Sequence, residues 1–138
     1  MQPTALVNEA FLKLSNKSPG SWNDEHHFLR SAAVTMRSIL IDHKKAKTAL
    51  KRGGHARHSP LDETLKGLES DWGGDIEAVH EALLKLEAED AVVAEYVNLR
   101  FFAGRTNLEA CAVLAIGERT GGRYWKFARA WLHQQLSR

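Results

Sequence analysis

TNLEACAVLAIGERTGGRYWKFARAWL, residues 106–132, contains two helical patterns joined by a tight turn. Thr106 and Glu109 have the spacing of a capping box, in which each side chain accepts a hydrogen bond from a backbone amide left unpaired in the first turn. We expect a short helix to about Ala115, then a turn, then a second helix to about Gln135. Two short helices joined in this way, the second one basic, are typical of a helix-turn-helix.

The second helix has two faces of opposite character. The inward face is expected to hold Gly121, Trp125, Ala128 and Leu132, and the outward face Arg119, Gly122, Arg123 and Lys126. In a major groove, Arg119 and Arg123 would donate paired hydrogen bonds to guanine edges or phosphates, and Lys126 and Thr120 would contact the backbone. The alternative is an exposed amphipathic helix without a ligand; the capping box and the turn favour DNA.

The rest of the chain also has helical patterns, and no strand pattern competes with them. The predicted helices are a short one from Thr4, a longer one from Asn23 to Gly53, and two from Asp75 to the stop at Gly104. About five turns of the longer helix are expected to pack against the first. Residues 58–74 are acidic with little sustained periodicity and are predicted to be a linker. The expected fold is all-α, with two small helical domains: residues 1–57 and a four-helix domain, 75–138, that ends in the helix-turn-helix.

Length and composition agree with this organisation. A chain of 138 residues with 43% hydrophobic content can form one ordinary domain or two small ones. The single Cys111 excludes a disulfide framework and suits a reducing cytoplasm. No apolar run reaches the ~18 residues of a membrane span. We therefore expect a soluble, cytoplasmic protein with no membrane partner.

Charge is segregated along the chain. Residues 37–57 hold seven basic side chains and one acid, residues 62–90 hold ten acids and two lysines, and residues 100–138 hold seven basic side chains and two acids. Two basic segments separated by an acidic one suggest two contacts with one long polyanion. Ordinary solvated helix faces are the alternative.

No pattern indicates catalysis or a cofactor. The histidines at positions 26, 27, 43, 55 and 58 have no cysteine pair or carboxylate at a zinc-ligand spacing. The Gly53 and Gly73 pairs lack the flanking strand of a phosphate-binding loop, and no Ser/His/Asp order stands out. The predicted protein is not an enzyme and binds no metal.

Aromatic and basic residues in the first half suggest a second contact with nucleic acid. Trp22, Asn23, His26 and Phe28 precede a helix that ends in HKKAKTALKR. Aromatic faces stack on unpaired bases while lysines follow the phosphates. Alternatively, Trp22 and Phe28 are a hydrophobic staple and core residues, and the basic side chains are merely solvated.

Several phrases in order along nearly the whole chain resemble the extracytoplasmic-function (ECF) sigma factors of bacterial RNA polymerase, particularly the ECF-like branch. They are QPTALVNEAFLKL, HFLRSAAVTMRSILIDH, KRGG, LRFFAG and WKFARAWL. The resemblance implies a domain that binds the polymerase clamp and melts the -10 element, and a domain that binds the -35 element and the polymerase flap. The implied partners are core RNA polymerase and promoter DNA, with an anti-sigma factor as a further candidate.

The resemblance also assigns roles to residues. Asn8, Glu9 and Leu12 become candidate polymerase contacts. The candidate contacts to the -10 element are Trp22, Asn23, His26, Phe28, Arg37, Lys44, Lys45 and Lys47. The candidate contacts to the -35 element are Arg119, Thr120, Arg123 and Lys126, with Arg105 and Thr106 at phosphates.

The chain departs from the family pattern in two places. Members usually carry a further N-terminal helical segment before QPTALV, so part of the promoter-melting domain is expected to be missing. Gly121 and Gly122 stand where a core side chain and a DNA contact are usual, and together they cost roughly 2 kcal/mol of helix stability. With Trp125 filling the space at Gly121, we expect weakened -35 reading, which Gly121→Val with Gly122→Lys would strengthen.

Two other functions fit the same residues. A stand-alone helix-turn-helix regulator would bind duplex DNA without polymerase. A truncated interaction module would sequester polymerase or a regulator and start no transcription.

Overall fold

The computed structural model describes residues 25–53 and 60–137, and these residues form helices joined by short turns, with no strand among them. The helices are α1 (Glu25–Gly53), α2 (Pro60–Trp72), α3 (Ile76–Glu89), α4 (Ala91–Val97), a π-helical turn (Asn98–Phe102), α5 (Asn107–Leu114) and α6 (Glu118–Leu136). The predicted all-α class is confirmed. The helix expected from Thr4 lies outside the described residues.

Helix α1 is the long helix expected to end at Gly53. Five residues of the predicted stripe are buried: Ala32, Ala33, Met36, Ile39 and Leu40. The predicted Phe28 and Leu29 are half-buried, and Ile41, which was not predicted on the stripe, is buried. His43, predicted on the same stripe, is only half-buried, and its Nε2 lies 2.7 Å from Asp62 Oδ1. Through this stripe α1 packs against the other described helices.

Helix α2 lies inside the stretch that was expected to lack periodic structure, and that expectation is wrong for residues 60–72. Pro60 occupies the first helical position, where its missing N–H has no intrahelical partner to lose. Asp62 and Glu63 follow in the first turn, where negative charge is favourable. The buried face is Thr64, Leu65 and Leu68. The sequence showed no clear helical period here because the buried face is short, includes the polar Thr64 and is surrounded by acidic residues.

Two aspartates cap the next two helices at their N-termini, and a glycine ends the segment that follows them. Asp75 caps α3 by accepting the Glu77 N–H at 2.7 Å, and Asp90 caps α4 by accepting the Val93 N–H at 3.2 Å. The π-helical turn then continues α4. Gly104 ends it with a φ of +65°, a left-handed conformation that glycine adopts without a steric penalty. The predicted stop at this glycine is confirmed.

One hydrophobic core joins all the described helices. The fully buried side chains include Leu40, Leu83, Tyr96, Phe102 and Leu132. Helix α1 packs against the π-helical turn, α3 and α5, so the described parts of both predicted domains contribute to the same core. The arrangement leaves the basic face of α6 on the outside.

Candidate nucleic-acid interface

Helices α5 and α6 meet through the three-residue turn 115–117. The predicted capping box is confirmed: the Thr106 hydroxyl accepts the Glu109 N–H at 3.1 Å, and the Glu109 carboxylate accepts the Thr106 N–H at 2.9 Å. These hydrogen bonds lower the pKa of Glu109. Ala115 adopts a φ of +56°, and the Ile116 N–H donates to the Cys111 carbonyl at 3.0 Å. The turn therefore has a defined hydrogen-bonded geometry.

The two faces of α6 divide as the sequence predicts. Gly121, Ala128 and Leu132 are buried, and Trp125 is half-buried. The opposite side forms a row of exposed residues, here called the cationic row: Arg119, Gly122, Arg123 and Lys126. Thr120 lies at its edge and is half-buried. The row presents three positive charges on one helix face, a suitable surface for a polyanion.

Gly121 leaves no space for Trp125 or any other residue to fill, so that expectation is wrong. The expectation that Gly121→Val would strengthen -35 reading is wrong for the same reason, because valine would clash with the neighbouring helices. A Cβ built on Gly121 would overlap Cys111 Sγ and Asn107 Oδ1, and would lie 3.2 Å from Tyr96 Cε2. The larger side chains of the neighbouring helices already occupy the volume. Gly122 is different, because nothing lies within 4 Å of a Cβ there.

A polar network fixes the crossing of α6 over its neighbours. Asn107 Oδ1 accepts the Tyr96 hydroxyl, and Asn107 Nδ2 donates to the Glu118 carbonyl at 3.1 Å. Arg100 Nη1 donates to the Tyr96 oxygen at 2.7 Å, and Cys111 Sγ lies 3.4 Å from Asn107 Oδ1. Burial raises the pKa of the Tyr96 phenol and that of the Cys111 thiol, so both remain neutral donors. The network orients the cationic row relative to α5.

The two predicted phosphate contacts stand at the start of α5. Arg105 is half-buried; its Nε donates to the Ala103 carbonyl at 3.2 Å and its Nη1 lies 3.5 Å from a Glu109 oxygen. Thr106 is exposed, and its hydroxyl oxygen is used by the capping box. Both residues therefore belong to the same helix pair as the cationic row.

Three of the four basic side chains on α1 that were predicted to contact the -10 element form ion pairs with acids. Lys44 Nζ lies 3.0 Å from a Glu69 oxygen, and Lys47 Nζ lies 2.6 Å from an Asp62 oxygen. Burial lowers the pKa of Lys44, but Glu69 and Asp75 outweigh it and the net pKa is raised. Lys45 is exposed. The basic segment of α1 and the acidic segment after it thus pair within the chain.

Arg37 is a core residue and presents no surface to DNA in this structure. Only 5% of its side chain is exposed. Its Nη1 lies 2.5 Å from Glu87 Oε1 and 3.3 Å from Asn98 Oδ1, and its Nε donates to His80 Nδ1 at 3.0 Å. The π-helical turn begins at Asn98 and so supplies one of these acceptors. We therefore leave Arg37 out of the proposed DNA contacts.

The remaining predicted contacts lie at or before the start of α1. His26 is exposed and Phe28 half-buried. Trp22 and Asn23 lie outside the described residues, as do the predicted polymerase contacts Asn8, Glu9 and Leu12.

Sequence reasoning missed a cluster of tryptophans and arginines beside the cationic row. Arg100 and Arg129 lie over the ring of Trp125, and Arg129 also lies over Trp72. These residues come from three separate elements, so no local spacing marks them.

Within residues 25–53 and 60–137, no three metal-binding side chains gather at one place. In that same part of the chain, every helix is too short or too polar to cross a membrane.

The family model of the ECF sigma factor matches residues 1–138. No curated protein and no solved structure matches the chain. The chain belongs to the ECF sigma factor family, whose members are transcription initiation factors rather than enzymes.

Proposed function

We propose that this chain binds core RNA polymerase and directs it to a promoter, with α5 and α6 as a helix-turn-helix that reads the -35 element. The single observation that carries the proposal is the cationic row, which is exposed on one face of α6 directly after a capped short helix. A helix of this kind inserts its first turns in a major groove, where arginine forks pair with guanine or phosphate.

The proposed division of labour follows the family. Residues 75–138 bind the -35 element and the polymerase flap, and residues 1–57 bind the clamp and the -10 element, with 58–74 connecting them. Lys45, His26 and Phe28 are the -10 candidates on α1 that reach the surface. Lys44 and Lys47 would join them only after exchanging their acids for phosphates. An anti-sigma factor remains a candidate partner.

Binding to duplex promoter DNA tests the cationic row directly. Arg119→Gln and Arg123→Gln should each weaken binding by about five- to 150-fold if the side chain contacts a base, since such contacts are worth about 1–3 kcal/mol. If the side chain contacts a phosphate, the slope of log K against log salt should fall by about 1. Fluorescence anisotropy over a salt series measures both quantities.

Lys85→Gln is the matched control, because it removes one exposed positive charge from α3, away from the row. An equal loss of affinity in the control and in the arginine variants would contradict a specific role for α6.

Transcription in vitro separates the proposal from its two alternatives. With core polymerase and a matched promoter, the chain should start transcription. Duplex binding without retention of core polymerase would indicate a stand-alone regulator. Polymerase binding with no transcript would indicate a sequestering module.

A further inference from the structure

A cleft of about 570 Å³ lies between α2, the π-helical turn and α6. Its polar lining comprises Thr64, Asp71, Arg100, Arg105 and Arg129. Its apolar lining comprises Leu68, Trp72, Phe101, Phe102 and Trp125. Arg105 is paired with Glu109, so Arg100 and Arg129 against Asp71 leave the cleft cationic. Its volume falls within the range of small-molecule sites.

Aromatic rings, rather than carboxylates, hold two of these arginines. The guanidinium carbon of Arg100 lies 4.5 Å from the Trp125 ring centroid, and that of Arg129 lies 5.7 Å from the same centroid and 5.3 Å from that of Trp72. Among the described residues, no carboxylate forms an ion pair with Arg100 or Arg129. A ring face orients a guanidinium without neutralising it, so both charges remain available to a ligand.

The remaining walls supply rigidity and an apolar surface. Arg100 is further fixed by its 2.7 Å hydrogen bond to the Tyr96 oxygen. Trp72 packs edge-on against Phe101 and Trp125, with ring centroids 4.8 and 5.6 Å apart. Both tryptophans line the cleft and are half-buried. The cleft therefore has an apolar wall next to its arginines.

We propose that this cleft binds a nucleotide, with its phosphates on Arg100 and Arg129 and its base against the tryptophan surface. A guanidinium fork matches two phosphate oxygens at once, and two such forks near one ring select a multiply charged anion. The limited volume of the cleft favours a small molecule over an extended acidic peptide. The bound nucleotide is either a free nucleotide or one residue of a single-stranded nucleic acid, because both present the same phosphate and base to the cleft.

Isothermal titration of the full chain with ADP and with GDP tests the site. Pyrophosphate and adenosine, the two halves of the ligand, should each bind at least tenfold more weakly than ADP. Arg129→Gln should weaken ADP binding at least tenfold. Arg129→Lys keeps the charge but loses the guanidinium fork. Its affinity for ADP should therefore lie between that of the parent chain and that of Arg129→Gln. Lys85→Gln, which removes an exposed charge elsewhere, should bind ADP as the parent chain does.

Arg100→Gln provides a second variant on the other side of Trp125. Arg100 also donates a hydrogen bond to Tyr96, so its replacement affects stability. Thermal unfolding of Arg100→Gln is therefore measured in parallel, and ADP binding is compared only at temperatures where the variant is folded. A short oligothymidine that ADP displaces would place a strand in the same cleft.

Four results would overturn the proposal. They are no heat of binding with millimolar ADP or GDP, pyrophosphate that binds as tightly as ADP, an equal loss in Lys85→Gln and Arg129→Gln, and an oligothymidine that binds through Arg129 but is not displaced by ADP. Each is independent of whether the chain starts transcription, so failure here leaves the proposed promoter function standing.

Discussion

At residue 121 the helix that carries the cationic row has no room for a side chain. Tyr96, Asn107 and Cys111 surround the position, and their polar contacts depend on the close approach that a glycine allows. The residue therefore couples the packing of α5 and α6 to the orientation of the row. Its neighbour Gly122 faces solvent and has no such constraint.

Alanine at each glycine should have opposite effects. Gly121→Ala forces an overpacked contact with Cys111 and Asn107 and should destabilise the fold by about 1–3 kcal/mol. Gly122→Ala should stabilise α6 by about 1 kcal/mol, since alanine is the better helix former. Urea unfolding followed by circular dichroism measures both, and adding Cys111→Ala to Gly121→Ala should recover part of the loss. Equal effects at both positions would contradict the packing described here.

The turn between α5 and α6 places an alanine in the left-handed region. Ala115 has a φ of +56°, which costs a residue with a Cβ about 1–2 kcal/mol relative to glycine. Glycine relieves this cost but increases the conformational entropy of the unfolded chain, which offsets part of the gain. The net effect of Ala115→Gly should be a stabilisation of the fold by roughly 0.5–1 kcal/mol.

Ala112→Gly serves as the control for that substitution, because residue 112 is exposed within α5 and its replacement should destabilise by about 1 kcal/mol. Thermal unfolding of the two variants should therefore shift in opposite directions, and a loss of stability in Ala115→Gly would contradict the turn geometry.

At the scale of elements, α1 is joined to α3 through a charged contact that titrates. Arg37 Nε donates to His80 Nδ1, so that nitrogen must be unprotonated. Burial, and then the charge of Arg37, lower the pKa of His80 below its ordinary value of 6.5. The weaker contributions come from Glu81, Lys45 and Glu87.

This contact predicts a loss of stability at acid pH. Below about pH 6.5 His80 is protonated in the unfolded chain, whereas in the folded chain its lowered pKa keeps it neutral. The free energy of unfolding therefore falls as the pH is lowered from about 6.5 toward the pKa of His80 in the folded chain. His80→Gln keeps an acceptor for Arg37 and should flatten the dependence of unfolding free energy between pH 7 and pH 5. An unchanged pH dependence in that variant would exclude His80 as its source.

The α1–α2 pairing explains the charge pattern at the same scale. Basic, acidic and basic segments suggested two surfaces for a polyanion, yet Asp62 and Glu69 satisfy Lys47 and Lys44 of the first segment. Glu69 also accepts the Ile76 N–H at 2.8 Å and so links α2 to the start of α3. Among the residues that the structure describes, the last basic segment presents its cations as an open row on a single helix.

At the scale of the whole molecule, the shared core predicts one cooperative unfolding transition. Leu40 on α1 and Leu132 on α6 belong to the same buried cluster, although 58–74 was expected to separate two domains. Calorimetric and van't Hoff enthalpies should therefore agree. Leu40→Ala, which should destabilise by about 2–5 kcal/mol, should also accelerate hydrogen exchange of the α6 amides. Two transitions, or unchanged protection of α6, would contradict a common core.

The sequence by itself determined helix α1 and helices α3 to α6, the capping box at Thr106, the stop at Gly104 and the two faces of α6. Each depends on interactions between residues within about four positions, which the order of residues specifies directly. Helix α2 was missed because its buried face is short and includes a threonine.

Only the tertiary structure decided what surrounds Gly121, that Arg37 is buried against α3, and that Arg100 and Arg129 share the ring of Trp125. These contacts join residues far apart in the chain, and their existence depends on how the helices pack. A local pattern specifies which face of a helix is buried, but not which neighbour it meets, because many packings bury the same apolar stripe.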